Sequence, residues 1–63
     1  MKNGIKALRK EHGLRQEDLA DKLGVSRQTI IAIENDKYNP TLELAMKLAK
    51  QLGKSVEDIF SLD

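Results

Sequence analysis

Sixty-three residues without a cysteine, carrying a formal net charge of +1, describe one small domain that has no disulfide framework and is not a nonspecific polycation. A chain of this length buries only about 60% of its unfolded surface, so stability is marginal and a partner surface would add to it. No apolar run reaches the length of a membrane span, and MKNGIKALRK lacks the hydrophobic centre of a signal peptide, so the expected location is cytoplasmic.

Alternating apolar patterns are nearly absent, and helical spacing recurs along the whole chain, which predicts an all-α domain of five helices. The first is expected from about Lys2 to His12, with Ile5 and Leu8 inward, ending at Gly13. The second runs from Gln16 to Leu23, with Leu19, Ala20 and Leu23 on one face, and ends at Gly24. Ser26 suits the cap of a third helix, from Arg27 to about Asn35. DKYNPT reads as a turn, because Pro40 disfavours helix at Asn39 and Thr41 supplies a new cap. The fourth helix spans Leu42 to Leu52 and stops at Gly53. The fifth opens on SVED, where Ser55 and Asp58 fit a capping box, and turns Val56, Ile59 and Phe60 inward.

Only Gly24, Val25 and Ser26 separate the second and third helices, so the two must meet at a sharp angle. Ala20 is small enough to let them approach, Gly24 permits a positive φ, and Val25 fills the corner. Ile30 and Ile33 then point back toward Leu19 and Leu23, which leaves Arg27, Gln28, Ile31 and Ala32 on the outer face. Arginine can donate twice to guanine and glutamine can pair bidentately with adenine, so this face has the chemistry of a major-groove reader. Charge is uneven in the same sense: residues 1–15 carry five Lys/Arg against one acid, while residues 16–40 sum to −2 and 41–63 to −1.

The combination of Gln16, Ala20, Gly24, VSRQTI and IEN at these spacings resembles the helix-turn-helix of the phage repressor and Cro class, also called Xre-like. The likeness continues through TLELAMKLAKQLGKSVEDIF and is close to the small stand-alone regulators of cytolysin-repressor type. It implies that residues 1–63 form a single DNA-binding domain, a five-helix repressor-like fold. By position it implies base contacts from Arg27, Gln28 and Ala32, with Ile31 at a position that is often polar. It also implies DNA-backbone contacts from Gln16, Asn35 and Lys37, and a structural ion pair between Arg9 and Glu34. Ser26 and Arg15 flank the same surface and are counted with the backbone contacts.

Three positions depart from that pattern. Arg15 stands where a Thr, Ser or Asn cap is usual, a loss of about 1 kcal/mol, but an arginine beside a helix N-terminus can instead reach a phosphate. Asp36 replaces a glycine after the third helix. If that residue is left-handed it is strained, and Asp36→Gly should stabilise the protein. Ile31 admits two readings, contact with a thymine methyl or an ordinary exposed apolar residue. His12 ends a helix without a nucleophile or orienting carboxylate in the pattern and is read as structural. Glu17, Asp18 and Asp21 lack the spacing of a calcium loop. No metal, cofactor or small-molecule site is expected, and no catalytic group.

The fourth helix is apolar over about 200° of its circumference, where one core needs a stripe of roughly 100° or somewhat more. A central helix touched by several neighbours would also look so. With Phe60 and Leu62 adding apolar surface at the end of the chain, the expectation is a twofold homodimer through Ile59, Phe60 and Leu62, aided by the fourth helix. Two third helices would then enter major grooves about 34 Å apart on an inverted-repeat operator. The function implied is a transcriptional regulator on double-stranded DNA, with repression as the expected sign. A protein-interaction module such as a toxin-covering antitoxin is the competing reading; an enzyme has no supporting constellation.

Overall fold

A helix starts where something accepts its first free N–H groups, and three short polar side chains do so here. In the computed structural model, which describes residues 1–62, the elements are β1 (Lys2–Asn3), α1 (Ile5–Glu11), α2 (Gln16–Leu23), α3 (Arg27–Glu34), α4 (Leu42–Leu52), α5 (Val56–Ile59) and β2 (Phe60–Ser61). Asp63, included in the expected domain, lies outside the described residues. Ser26 Oγ accepts from Thr29 N at 3.2 Å, Thr41 Oγ1 from Leu44 N at 3.2 Å and Ser55 Oγ from Asp58 N at 3.1 Å. These caps place α3, α4 and α5 at the expected starts.

The turn between α2 and α3 is built as expected. Gly24 adopts φ 70°, and the next amide, Val25 N, donates back to the Ala20 carbonyl at 3.0 Å, which closes α2 in a Schellman motif. Ala20 is 2% exposed, inside the α2–α3 contact. The core gathers Ile5, Leu19, Leu23, Ile30, Ile33, Leu44, Leu48, Leu52 and Ile59, with Leu8, Leu14, Val25, Ala49 and Phe60 packed around it.

Two expectations change. The first helix begins at Ile5 rather than Lys2, because Lys2 and Asn3 pair antiparallel with Ser61 and Phe60. Gly4 N donates to the Ile59 carbonyl at 2.8 Å, and Asn3 Oδ1 accepts from Ile5 N at 3.1 Å, so the helix starts beyond the ladder. Correspondingly, Phe60 is not the last turn of α5 but extended chain, with φ −111° and ψ 142°.

Asp36 has φ 58°, and Lys37 N donates to the Ala32 carbonyl at 2.9 Å, so α3 ends in the same left-handed closure with a side chain present. The aspartate is not idle, because its Oδ1 accepts from Asn3 Nδ2 at 2.9 Å. Asp36→Gly relieves the strain but removes that acceptor. A net gain of about 0.5 kcal/mol is expected, measured as a higher urea midpoint; a lower midpoint means the Asn3 contact outweighs the strain.

Candidate nucleic-acid interface

Arg27 and Gln28 are the first two residues of α3 and both are exposed. Ile30 and Ile33, each 1% exposed, hold the helix against α2, so the outward residues stand on a fixed support. Ile31 and Ala32 are half-buried rather than free, lying at the margin of the face. Asn35 caps the C-terminal end and, like Lys37, is exposed. The sequence missed Thr29: its Oγ1 lies 2.9 Å from Ser26 Oγ. The S-x-x-T spacing is the available signal, since cap and third helical position face each other. When the Thr29 hydroxyl donates into that contact, the Ser26 O–H remains available to a phosphate.

A cleft of about 460 Å³ opens at the start of α2 and α3, lined by Arg9, Arg15, Gln16, Glu17 and Arg27. It unites Arg15, Gln16 and Arg27, which the sequence could only place separately. Arg15 is 78% exposed in its side chain, with Nη1 3.5 Å from Glu17 and Nε 3.4 Å from Asp18. Exposed pairs of this kind hold weakly, and a phosphate can exchange with either acid. The missing cap at Arg15 is partly made good in reverse, because Asp18 Oδ2 accepts from the Arg15 backbone N at 2.8 Å. That bond, with the Arg15 guanidinium and Lys22 nearby, holds the Asp18 carboxyl below its ordinary value of 3.8. The carboxylate therefore supports the start of α2 throughout neutral pH, and its contribution goes only as pH falls through the lowered value.

Behind the cleft lies the ion pair. Arg9 Nε reaches Glu34 Oε2 at 2.7 Å, Arg9 Nη2 donates to Glu34 Oε1 at 3.2 Å, and Arg9 Nη1 donates to the Leu14 carbonyl at 2.9 Å. The two side chains are 8% and 3% exposed. Gln16 Nε2 donates to the same Glu34 Oε1 at 3.1 Å, so the carboxamide at the start of α2 is oriented from behind. His12 Nε2–H donates to the Leu52 carbonyl at 3.0 Å, joining the ends of α1 and α4 in the structural role read for it. Tyr38, 45% exposed, lines a shallow groove with Val25, Thr29, Thr41 and Leu44.

The expected dimer residues fare unequally. Ile59 is 3% exposed and belongs to the core, which corrects its placement on a partner surface. A four-residue helix leaves too few positions to show its faces. Phe60 is half-buried against the core, whereas Leu62 is 94% exposed. On α4, Leu44, Ala45, Leu48 and Leu52 face the core, while Leu42 and Met46 are 73% and 52% exposed. The wide apolar arc is thus part core and part open surface. Among the described residues no helix is long and apolar enough to cross a membrane.

Residues 5–59 match the family model described as helix-turn-helix, HTH_3. An uncharacterised HTH-type transcriptional regulator of Methanocaldococcus jannaschii is 65% identical over 60 residues, covering 95% of this chain and 91% of that protein. The immunity repressor of Bacillus phage phi105 is 46% identical over 55 residues, 87% of this chain but 38% of the repressor. Among solved structures, the restriction-modification controller protein C.AhdI of Aeromonas hydrophila is similar, with a TM-score of 0.80 and 32% identity. That match covers 89% of this chain and 85% of the other.

Proposed function

The chain belongs to the helix-turn-helix family HTH_3, a family of DNA-binding regulators rather than enzymes, and from that premise we propose that it is a cytoplasmic repressor binding an inverted-repeat operator as a homodimer. The observation that carries this reading is the pairing of Arg27 and Gln28, exposed at the capped start of α3, with the cleft of Arg15 and Gln16 beside them. The α3 helix enters the major groove, where Arg27 and Gln28 meet base edges and Ile31 and Ala32 lie along the apolar side of the contact. Phosphates are held at one end by Arg15, Gln16 and Ser26 and at the other by Asn35 and Lys37. Repression follows from occupying promoter DNA, in keeping with the phage immunity repressor among its relatives.

The homodimer rests on exposed apolar side chains at the end of the chain and on α4. Asn3 pairs with Phe60 and also reaches the Ile33 carbonyl, so β2 lies beside the C-terminal end of α3. A twofold axis through Phe60 and Leu62, helped by Leu42 and Met46, presents both α3 helices on one side with those ends toward the axis. Leu62 is the cleaner probe, because Phe60 also packs on the core. Leu62→Asp is expected to shift the protein to monomer in sedimentation while leaving its helical content unchanged. It should also abolish the preference for a paired over a single half-site. A dimer that persists in the variant removes Leu62 from the interface.

A further inference from the structure

Asn3 is followed by Gly4, and the pair stands where two distant parts of the fold are tied together. Asn3 Nδ2 donates to the Ile33 carbonyl at 2.8 Å and to Asp36 Oδ1 at 2.9 Å, and Asn3 Oδ1 accepts from Ile5 N at 3.1 Å. One carboxamide therefore joins β1 to the last turn of α3 and to the left-handed residue that closes it.

Asparagine before glycine is also the sequence in which a backbone amide most readily attacks the preceding side chain, because glycine has no Cβ to hinder the approach. The fold does not demand glycine here for its backbone: position 4 has φ −106°, and a Cβ added there meets nothing within 4 Å.

We propose that Asn3 is a deamidation site gated by the β1–β2 ladder, and that its conversion releases the C-terminal end of the DNA-reading helix. In the step, the Gly4 nitrogen loses its proton and bonds to Asn3 Cγ, the Cγ–Nδ2 bond breaks, and ammonia leaves with that proton. Water then opens the resulting succinimide at either carbonyl, giving aspartate or isoaspartate; no oxidant or reductant is involved. The closed fold opposes the attack. The Gly4 N–H is engaged with the Ile59 carbonyl at 2.8 Å, and the carboxamide is pinned by the three bonds above. The ladder, however, has only two residues per strand, so local opening is the accessible route.

The product is incompatible with the site. Asn3 Nδ2, a double donor, is lost, and a carboxylate takes its place against the Asp36 carboxylate and the Ile33 carbonyl. Three acceptors then share a space that held one donor group. The strap parts, and Asn35 and Lys37 lose the support that aligns them with a phosphate. This last consequence rests on the DNA-binding reading; the chemistry at Asn3 does not.

The full chain is aged in mildly alkaline buffer, folded and in urea, and each asparagine is followed by peptide mass spectrometry with isoaspartate detection. Asn39 precedes Pro40, whose nitrogen has no proton to lose, and serves as the inert reference. Conversion at Asn3 is expected in both states but roughly tenfold or more slower when folded, and Gly4→Ser slows it further in urea. Asn3→Asp, which reproduces one product, is expected to bind operator DNA several-fold more weakly than the parent. Adding Asp36→Asn, which returns a donor to the contact, should recover most of that loss.

Absence of conversion at Asn3 in urea, or equal rates in the two states, overturns the gated site. Parent-level DNA binding by Asn3→Asp overturns the release of α3. Failure of the unmodified chain to bind any DNA refutes the regulator reading instead and leaves the mass-spectrometric result standing.

Discussion

Arg9→Met is expected to cost about 3–5 kcal/mol of folding stability, the loss found when one partner of a buried ion pair is removed. The reason lies in what remains. Glu34, whose side chain is 3% exposed, would be left buried without its guanidinium partner, and among the described residues Gln16 Nε2 at 3.1 Å is the side-chain donor that remains. A domain of this size has roughly 3–9 kcal/mol in total, so the variant should be largely unfolded or close to it. Replacing both partners, Arg9→Met with Glu34→Leu, removes the uncompensated charge and should be markedly less damaging than Arg9→Met alone. Urea titration of the two variants decides it: equal losses mean that the damage comes from lost packing of the arginine stem, not from stranded charge.

The second large effect is on recognition. Gln28→Ala is expected to weaken operator binding by about 1–3 kcal/mol while nonspecific binding changes little. Gln28 is exposed, and among the described residues no hydrogen bond holds its side chain elsewhere, so its removal costs the folded chain almost nothing. Arg27→Ala should differ in kind. Arg27 lies both at the N-terminal start of α3 and on the cleft with Arg15 and Gln16, and a charge there is expected to contribute to binding of any sequence. Competition assays with operator and unrelated duplex separate the two behaviours. An equal loss on both duplexes for Gln28→Ala takes that residue out of base readout.

Most of the fold was legible because its signals are local. Ser26, Thr41 and Ser55 each cap a helix within three residues of their own position, and Gly24 marks a turn by the φ it alone tolerates easily. The core residues follow from helical spacing, and the structure seats every one of Leu19, Leu23, Ile30 and Ile33 inside. What escaped was non-local or too short to have a period. A strand of two residues has no alternation, so the pairing of Lys2–Asn3 with Phe60–Ser61 left no pattern to read. The Asn3 bond to Ile33 spans 30 positions, and nothing near either residue announces it.

At the candidate site the residue types and their approximate placement were legible, but their entanglement was not. The sequence places Arg15 where it can reach a phosphate, yet in the structure two acids of the helix it precedes attend it. The resemblance implies a DNA-backbone contact from Gln16, and nothing in the sequence shows that its carboxamide shares Glu34 with the buried arginine. Ile59 illustrates the same limit. Apolar residues near the end of a chain can serve a core or a partner, and only the packing shows that the core has taken this one.

Paired, symmetric reading of DNA by α3 dictates the form of the motif that the protein selects. It is tested most directly by selecting fragments from a genomic library with the purified protein and deriving the bound motif. An enriched inverted repeat whose half-sites lie about ten base pairs apart, one helical turn, is expected. A folded, soluble protein that enriches no motif would contradict it and turn the same helices into a scaffold for binding another protein.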